Sequence, residues 1–264
     1  MKSIVRMVGL VLVAIAATSC IDVTTEIYVK KDGSGTVAQA VYMKPAVLAM
    51  MQQGDPNAKL IDEPKLKAAA KQMGEGVTYA GAEEKTRKDG SKGFIARYNV
   101  ADINKLVIDE SMTAPGGDQN QAAAANDNSK KLRFKFTKGA SPTLQIAIPQ
   151  GEENAAAATT PAAKDPQAEA MMQQMKSMFD GMRMWVRVRV EGTISETNAS
   201  YVNPKKSGLT LMKIDFGKLV NDPKGFEKLT ALGDKPPPSK VRAAFKDLDY
   251  VQVEDEKVVK IKFQ

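Results

Sequence analysis

The 264-residue sequence predicts an α+β fold in which a mainly antiparallel sheet, built from hairpins, is packed by several helices. Three observations predict it. Short segments alternate apolar and polar residues with the period of two that marks a half-buried strand. Glycine-containing turns separate neighbouring segments at hairpin distance. Prolines open helix-length apolar stretches between the strand pairs.

The first strand starts at Ile21, with Val23, Ile27 and Val29 alternating against Asp22, Thr24, Glu26 and Lys30. Lys31-Asp32-Gly33-Ser34-Gly35 supplies turn residues that accept positive φ, and residues 36–43 return as a second strand. Pro45 opens a helix through Met51, and Pro64 opens another that runs through Met73 and ends at Gly74. A second hairpin follows over 77–86 and 93–100, turning at Lys88-Asp89-Gly90. Residues 111–129 are a low-complexity loop. Residues 132–136 and 143–148 alternate as strands, and a second polar, alanine-rich excursion spans 150–165. From Gln167 a helix carries Met171, Met175, Met178, Phe179 and Met182 at steps of three and four, before residues 184–190 switch to period two. A strand over 209–216, short helical segments near 226–232, a helix over 239–248 and a closing hairpin over Glu254-Asp255-Glu256 complete the chain.

The first nineteen residues read as a leader. Lys2 and Arg6 precede the apolar run from Val8 to Ala16, which ends in small residues before Cys20, the only cysteine. The run falls short of the roughly 20 apolar residues needed to span a bilayer. Ala17-Thr18-Ser19-Cys20 resembles a bacterial lipobox, with Ala17 where leucine is usual. The resemblance implies cleavage before Cys20, a diacylglyceryl thioether on its sulfur and an acylated amine, palmitate-type chains that tether a protein without spanning the membrane. It also implies sorting to the outer membrane, facing the periplasm, because Ile21 rather than aspartate follows the cysteine. The expected organisation is a signal peptide over 1–19 and one exported domain over 20–264.

Composition narrows the chemistry. There is no histidine, and the one cysteine is assigned to lipid. Histidine triads, imidazole bases and His/Cys metal sites are therefore excluded, and no intramolecular disulfide can form. Gly33-Ser34-Gly35 is followed by a strand instead of the helix a dinucleotide loop needs, and Lys206-Ser207-Gly208 lacks a Ser-x-x-Lys partner. Glu83-Glu84, Asp247 with Asp249, and Glu254-Asp255-Glu256 are expected to be surface acids. No cofactor or metal is expected.

Two surfaces remain as binding candidates. Lys131, Arg133 and Lys135, then Arg183, Arg187 and Arg189 beside Trp185, then Lys260 and Lys262, each line one face of an expected strand. Were these strands neighbours, they would form a basic patch for anionic lipid headgroups or wall polymers; the alternative is pairing with cross-strand acids such as Glu26. Met171, Met175, Met178, Phe179 and Met182 offer either core packing or an apolar groove. Cu(I) binding by the thioethers is disfavoured because Phe179 shares the stripe.

The stretch from the methionine helix through Trp185 to Ala199 and Leu209-Thr210-Leu211 resembles the LppM-type bacterial lipoproteins, as does the order of lipid cysteine, strand, Asp32-Gly33-Ser34-Gly35 and strand. The resemblance implies an envelope-attached α/β domain and transfers no active-site residue. The expected function is a lipid-anchored envelope lipoprotein with a non-catalytic binding or scaffolding role. Its partners are the membrane, through acyl chains, and an anionic lipid, wall component or envelope protein; export excludes nucleic acid. The alternative is a hydrolase that uses carboxylate, serine or lysine groups.

Overall fold

A computed structural model describes residues 21–54, 59–109, 131–150, 179, 181–232 and 236–264. Strands β1 (Ile21–Val29) and β2 (Gly35–Met43) form the first hairpin in unbroken register. At its turn the Asp32 carboxylate accepts from the Ser34 amide at 2.8 Å and the Ser34 hydroxyl at 2.7 Å. Gly33 has φ +87°, and a Cβ there would lie 2.8 Å from the Phe136 ring, so both backbone and packing demand glycine.

Helices α1 (Pro45–Gly54) and α2 (Glu63–Gln72) follow. The Asp62 carboxylate caps α2 by accepting from the Lys65 amide, and Leu66, Ala69 and Ala70 are its buried residues. Next come β3 (Val77–Thr86), β4 (Lys92–Val100), a 3₁₀ turn (Ile103–Lys105), β5 (Val107–Asp109), β6 (Lys131–Thr137) and β7 (Thr143–Ala147). The remaining elements are β8 (Arg183–Val190), β9 (Ile194–Thr197), β10 (Gly208–Asp215), α3 (Phe216–Asn221), α4 (Pro223–Leu232), α5 (Pro238–Phe245), β11 (Val251–Val253) and β12 (Val258–Phe263).

The mixed α and β content is as expected, but the strands divide between two mostly antiparallel sheets. One has seven strands in the order β11-β10-β8-β1-β2-β4-β3, and the other has five in the order β5-β6-β7-β12-β9. The pair β1 and β8 is parallel, joined by a connection that contains β2 to β7. The closing hairpin does not form. Strand β11 pairs with β10 in the larger sheet, whereas β12 lies between β7 and β9 in the smaller, so residues 254–257 cross from sheet to sheet.

Alternation decides what each sheet buries. Ile27, Val29, Val37, Tyr98, Val188 and Leu209 from the larger sheet meet Phe134, Phe136, Leu144, Ile146, Val259 and Phe263 from the smaller in one apolar core. Phe136 and Phe263 pack at 6.4 Å between centroids. A second cluster of Leu219, Phe245, Val251 and Val253 fixes the C-terminal helices to the larger sheet's edge. Among the described residues no helix is long and apolar enough to cross a membrane. The leader with Cys20, the excursions over 111–129 and 151–165, and Met171, Met175 and Met178 lie outside the described residues.

Candidate functional site: two outward sheet faces

Each sheet has one face on the core and one turned outward, and the candidate cations divide between the two outward faces. On the larger sheet the parallel register sets Asp22 beside Arg183, Glu26 beside Arg187, and Tyr28 beside Arg189. Asp22, only 11% exposed, accepts from Arg183 at 2.9 Å and from Arg87 at 2.5 Å. Glu26 pairs with Arg187 at 2.7 Å and with Arg189 at 3.6 Å. Arg187 also lies 4.7 Å from the Trp185 ring centroid, and Arg87 lies 3.6 Å from that of Tyr42. These four arginines share two acids, which offsets half of their charge and fixes their guanidinium groups in place.

The smaller sheet differs. Strands β6 and β12 flank β7, and the register aligns Lys135, Gln145 and Lys260 in one row, with Thr137, Thr143 and Lys262 in the next. Strands β6, β7 and β12 contain no acidic residue. Among the described residues acids enter at the margins, where Asp109 on β5 stands opposite Lys131 and Glu196 on β9 pairs with Lys262 at 2.9 Å. Lys135 and Lys260 are exposed, as are Lys205 and Lys206 on the turn beside β9. The eight candidate cations therefore form no single patch. Five share the smaller sheet, and Arg183, Arg187 and Arg189 belong to the other sheet, which the sequence could not show because sheet membership is set by pairing across the chain.

Strand β1 begins at Ile21, one residue after Cys20, and pairs there with Met43. An open cleft of about 410 Å³ at this end is lined by Asp22, Arg87, Arg183, Asp89, Asp215 and Lys218, among others. Its acids are engaged: Asp22 as above, Asp215 as the cap of α3, and Asp89 with Ser91. Hydrogen bonds from the Ser91 amide, then its hydroxyl, hold the Asp89 carboxyl below its ordinary range. Helix α1 starts two residues beyond Met43, carries no charge, and leaves Met51 38% exposed. Beside it, Leu48, Ala49, Met51, Leu60 and Ile61 help line an open groove of about 590 Å³.

Of the methionine stripe, Phe179 stacks on Phe216 at 5.5 Å and Met182 is half-buried, its carbonyl accepting from the Phe216 amide. These two residues fill an interface with α3. Of the acid clusters, Glu83 pairs with Lys85 and Arg97, and Asp247 and Asp249 are exposed. Glu254 departs from the surface expectation, with a side chain that is 0% exposed at the sheet crossover. Its carboxylate accepts from the Ser200 amide at 2.7 Å, the Ser200 hydroxyl at 3.2 Å and the amides of Asp255 and Glu256. Nothing in an acidic tripeptide next to a strand marks one member as buried.

No family model and no curated protein matches the chain. Among solved structures it is similar to the folded domain of Mycobacterium tuberculosis LppM, determined by NMR, at 12% identity and a TM-score of 0.30, covering 76% of this chain and 85% of that one.

Proposed function

We propose that the protein is a lipid-anchored cell-envelope lipoprotein with a non-catalytic binding role, held through acyl chains on Cys20 and presenting the outer face of the five-stranded sheet to an anionic envelope component. The observation that carries the reading is the Lys135–Gln145–Lys260 row on three adjoining strands without an acid. Cations whose neighbours are neutral keep their field, whereas on the larger sheet Asp22 and Glu26 offset two of the four arginine charges and hold all four side chains. The charged leader and the small residues before the single cysteine support the anchor. Ile21 after Cys20 favours the outer membrane.

Binding is preferred to catalysis because the acids of the 410 Å³ cleft are tied to arginines, a helix cap and a turn. A carboxylate already committed to arginines, a helix cap or a turn is poorly placed to exchange protons with a substrate. Mass spectrometry of protein extracted from membranes tests the anchor: an acylated Cys20 is expected at the mature N-terminus, and Cys20→Ser should abolish that species and release the chain to the soluble fraction. An unmodified thiol at position 20 with unchanged membrane association would overturn the reading.

A further inference from the structure

The cleft of about 410 Å³ at the start of β1 brings two guanidinium groups onto a single carboxylate oxygen. Asp22 Oδ2 receives Arg87 Nη1 at 2.5 Å and Arg183 Nη2 at 2.9 Å. Those two nitrogens therefore stand no more than about 5.5 Å apart, a separation that one tetrahedral oxyanion bridges with an oxygen to each. A guanidinium carries five N–H donors in a planar fork, so Asp22 orients both groups without consuming their donors. Arg87 is fixed a second time, with its guanidinium carbon 3.6 Å from the Tyr42 ring centroid. Groups already ordered in this way lose little freedom when a ligand arrives. The opposite wall depends on two glycines. Gly181 has φ +77°, and a Cβ there would lie 2.6 Å from Lys44 Nζ, while a Cβ on Gly217 would lie 2.6 Å from the Gly181 amide nitrogen.

Charge and lining then define the ligand. Arg87, Arg183, Lys44 and Lys218 line the space with Asp22, Asp89 and Asp215, which leaves one positive charge. Two of the acids have an oxygen turned to the backbone, Asp89 to the Ser91 amide and Asp215 to the Lys218 amide, each at 3.0 Å. Among the described residues no aliphatic side chain lines the cleft, and the Tyr42 ring carries Arg87, so an acyl chain or other apolar group has nothing to pack on. The volume lies within the range of small-molecule sites, roughly 300 to 1,000 Å³, and exceeds what a bare phosphate fills. We propose that this cleft binds the glycerophosphate group of a small polar ligand, its phosphate bridged by Arg87 and Arg183 with Lys218 beside them. A free polyol phosphate and a phospholipid headgroup both present that group. The site is separate from the outer face of the five-stranded sheet and does not depend on the Cys20 anchor.

Calorimetric titration of the full chain in dodecyl maltoside, a detergent without phosphate, tests this with three probes: inorganic phosphate, glycerol 3-phosphate and dihexanoyl phosphatidylglycerol. One of the two organic probes should bind saturably at one site per chain. Tighter binding of glycerol 3-phosphate assigns the cleft to a soluble ligand, and tighter binding of the lipid assigns it to a headgroup. Arg183→Gln should weaken that binding on the order of tenfold or more, and Arg183→Lys, which keeps the charge and loses the fork, should weaken it several-fold. Lys205→Gln, the same loss of charge at an exposed turn beside β9, should leave it within about twofold. Arg183 is half exposed and Arg87 keeps Asp22 paired without it, so the variant should fold, as a thermal melt will read. Lys218→Gln, at an exposed position of α3, is the second variant and should also lose several-fold. No saturable binding of either organic probe up to about 10 mM, or equal losses for the cleft variants and Lys205→Gln, would overturn the proposal.

Discussion

Replacing Glu254 tests how the two sheets are joined. The residue sits where the chain leaves β11 for β12, and its carboxylate receives the amides of Ser200, Asp255 and Glu256 as well as the Ser200 hydroxyl. Glu254→Ala leaves those donors without their acceptor at a site where the side chain is 0% exposed. Hydrogen bonds to a charged acceptor contribute about 1.5 to 3 kcal/mol each, and loss of one partner from a buried charged cluster costs about 3 to 5 kcal/mol in total. The Arg242 guanidinium, 3.9 Å from Glu254, stays paired with Asp255, so the lower part of that range applies, about 3 to 4 kcal/mol. At about 2 to 4 °C per kcal/mol for a domain of this size, the midpoint should fall by roughly 10 °C. Urea unfolding followed by Trp185 fluorescence and a thermal melt both read the effect, with Glu256→Ala, exposed on the same crossover, as the control. A loss below about 1 kcal/mol, or equal losses for the two variants, would refute the claim that this carboxylate locks the crossover.

The larger sheet predicts a complementary result: Glu26→Gln should cost about 1 to 3 kcal/mol, since Glu26 Oε2 and Arg187 Nε are buried where they meet, while raising the salt needed to elute the protein from an anionic resin, because Arg187 and Arg189 lose their partner. Unchanged elution would show that Glu26 does not mask those arginines. Gly192→Ala should destabilise by about 2 kcal/mol or more in urea titration, since its φ of +94° and its approach to the Gln264 carbonyl both exclude a side chain. Tyr250 donates to Asp222 at 2.5 Å, and that hydrogen bond is the largest cause of a carboxyl held below its ordinary range. A depressed folded pKa contributes stability above the unfolded value near pH 4, and the contribution is lost as pH falls through the folded value. Tyr250→Phe should therefore return the Asp222 titration, followed by carboxyl-carbon NMR, toward pH 4 and soften the acid limb of unfolding; an unmoved titration would refute the assignment.

The hairpins were readable because their information is local. Alternation over 21–29, the Asp32-to-Ser34 turn and the return over 35–43 all lie within two dozen residues, and the same holds for β3 with β4 and β6 with β7. Sheet membership was not readable, since a period of two says only that one face is buried. Strands β11 and β12 have the pattern of a hairpin with an acidic turn, yet Glu254 finds its donors on Ser200, more than fifty residues away, and the chain changes sheets there. The parallel pairing of β1 with β8 is equally non-local, and it decides the fate of three candidate cations.

Parallel register also explains why two sets of strand cations with the same spacing differ in what they can do. Arg187 and Lys135 each follow an i, i+2 rhythm with apolar residues between, so their own strands do not distinguish them. The neighbour does: β1 brings Asp22 and Glu26 into line with Arg183 and Arg187, whereas β7 brings Gln145 into line with Lys135 and Lys260. Moving one acid should therefore transfer the property. Gln145→Glu puts a carboxylate between Lys135 and Lys260 on an outward face, where an exposed pair adds no more than about 1 kcal/mol to stability. It should nevertheless weaken binding of an anionic partner, by roughly half as much in free energy as reversing one lysine, because it changes the charge by one unit instead of two, roughly 5 Å from each cation and within one screening length of both. Retention on an anionic resin at rising salt reads the outcome. Capture equal to wild type would mean that the row is not the contact surface, whatever the net charge of the domain.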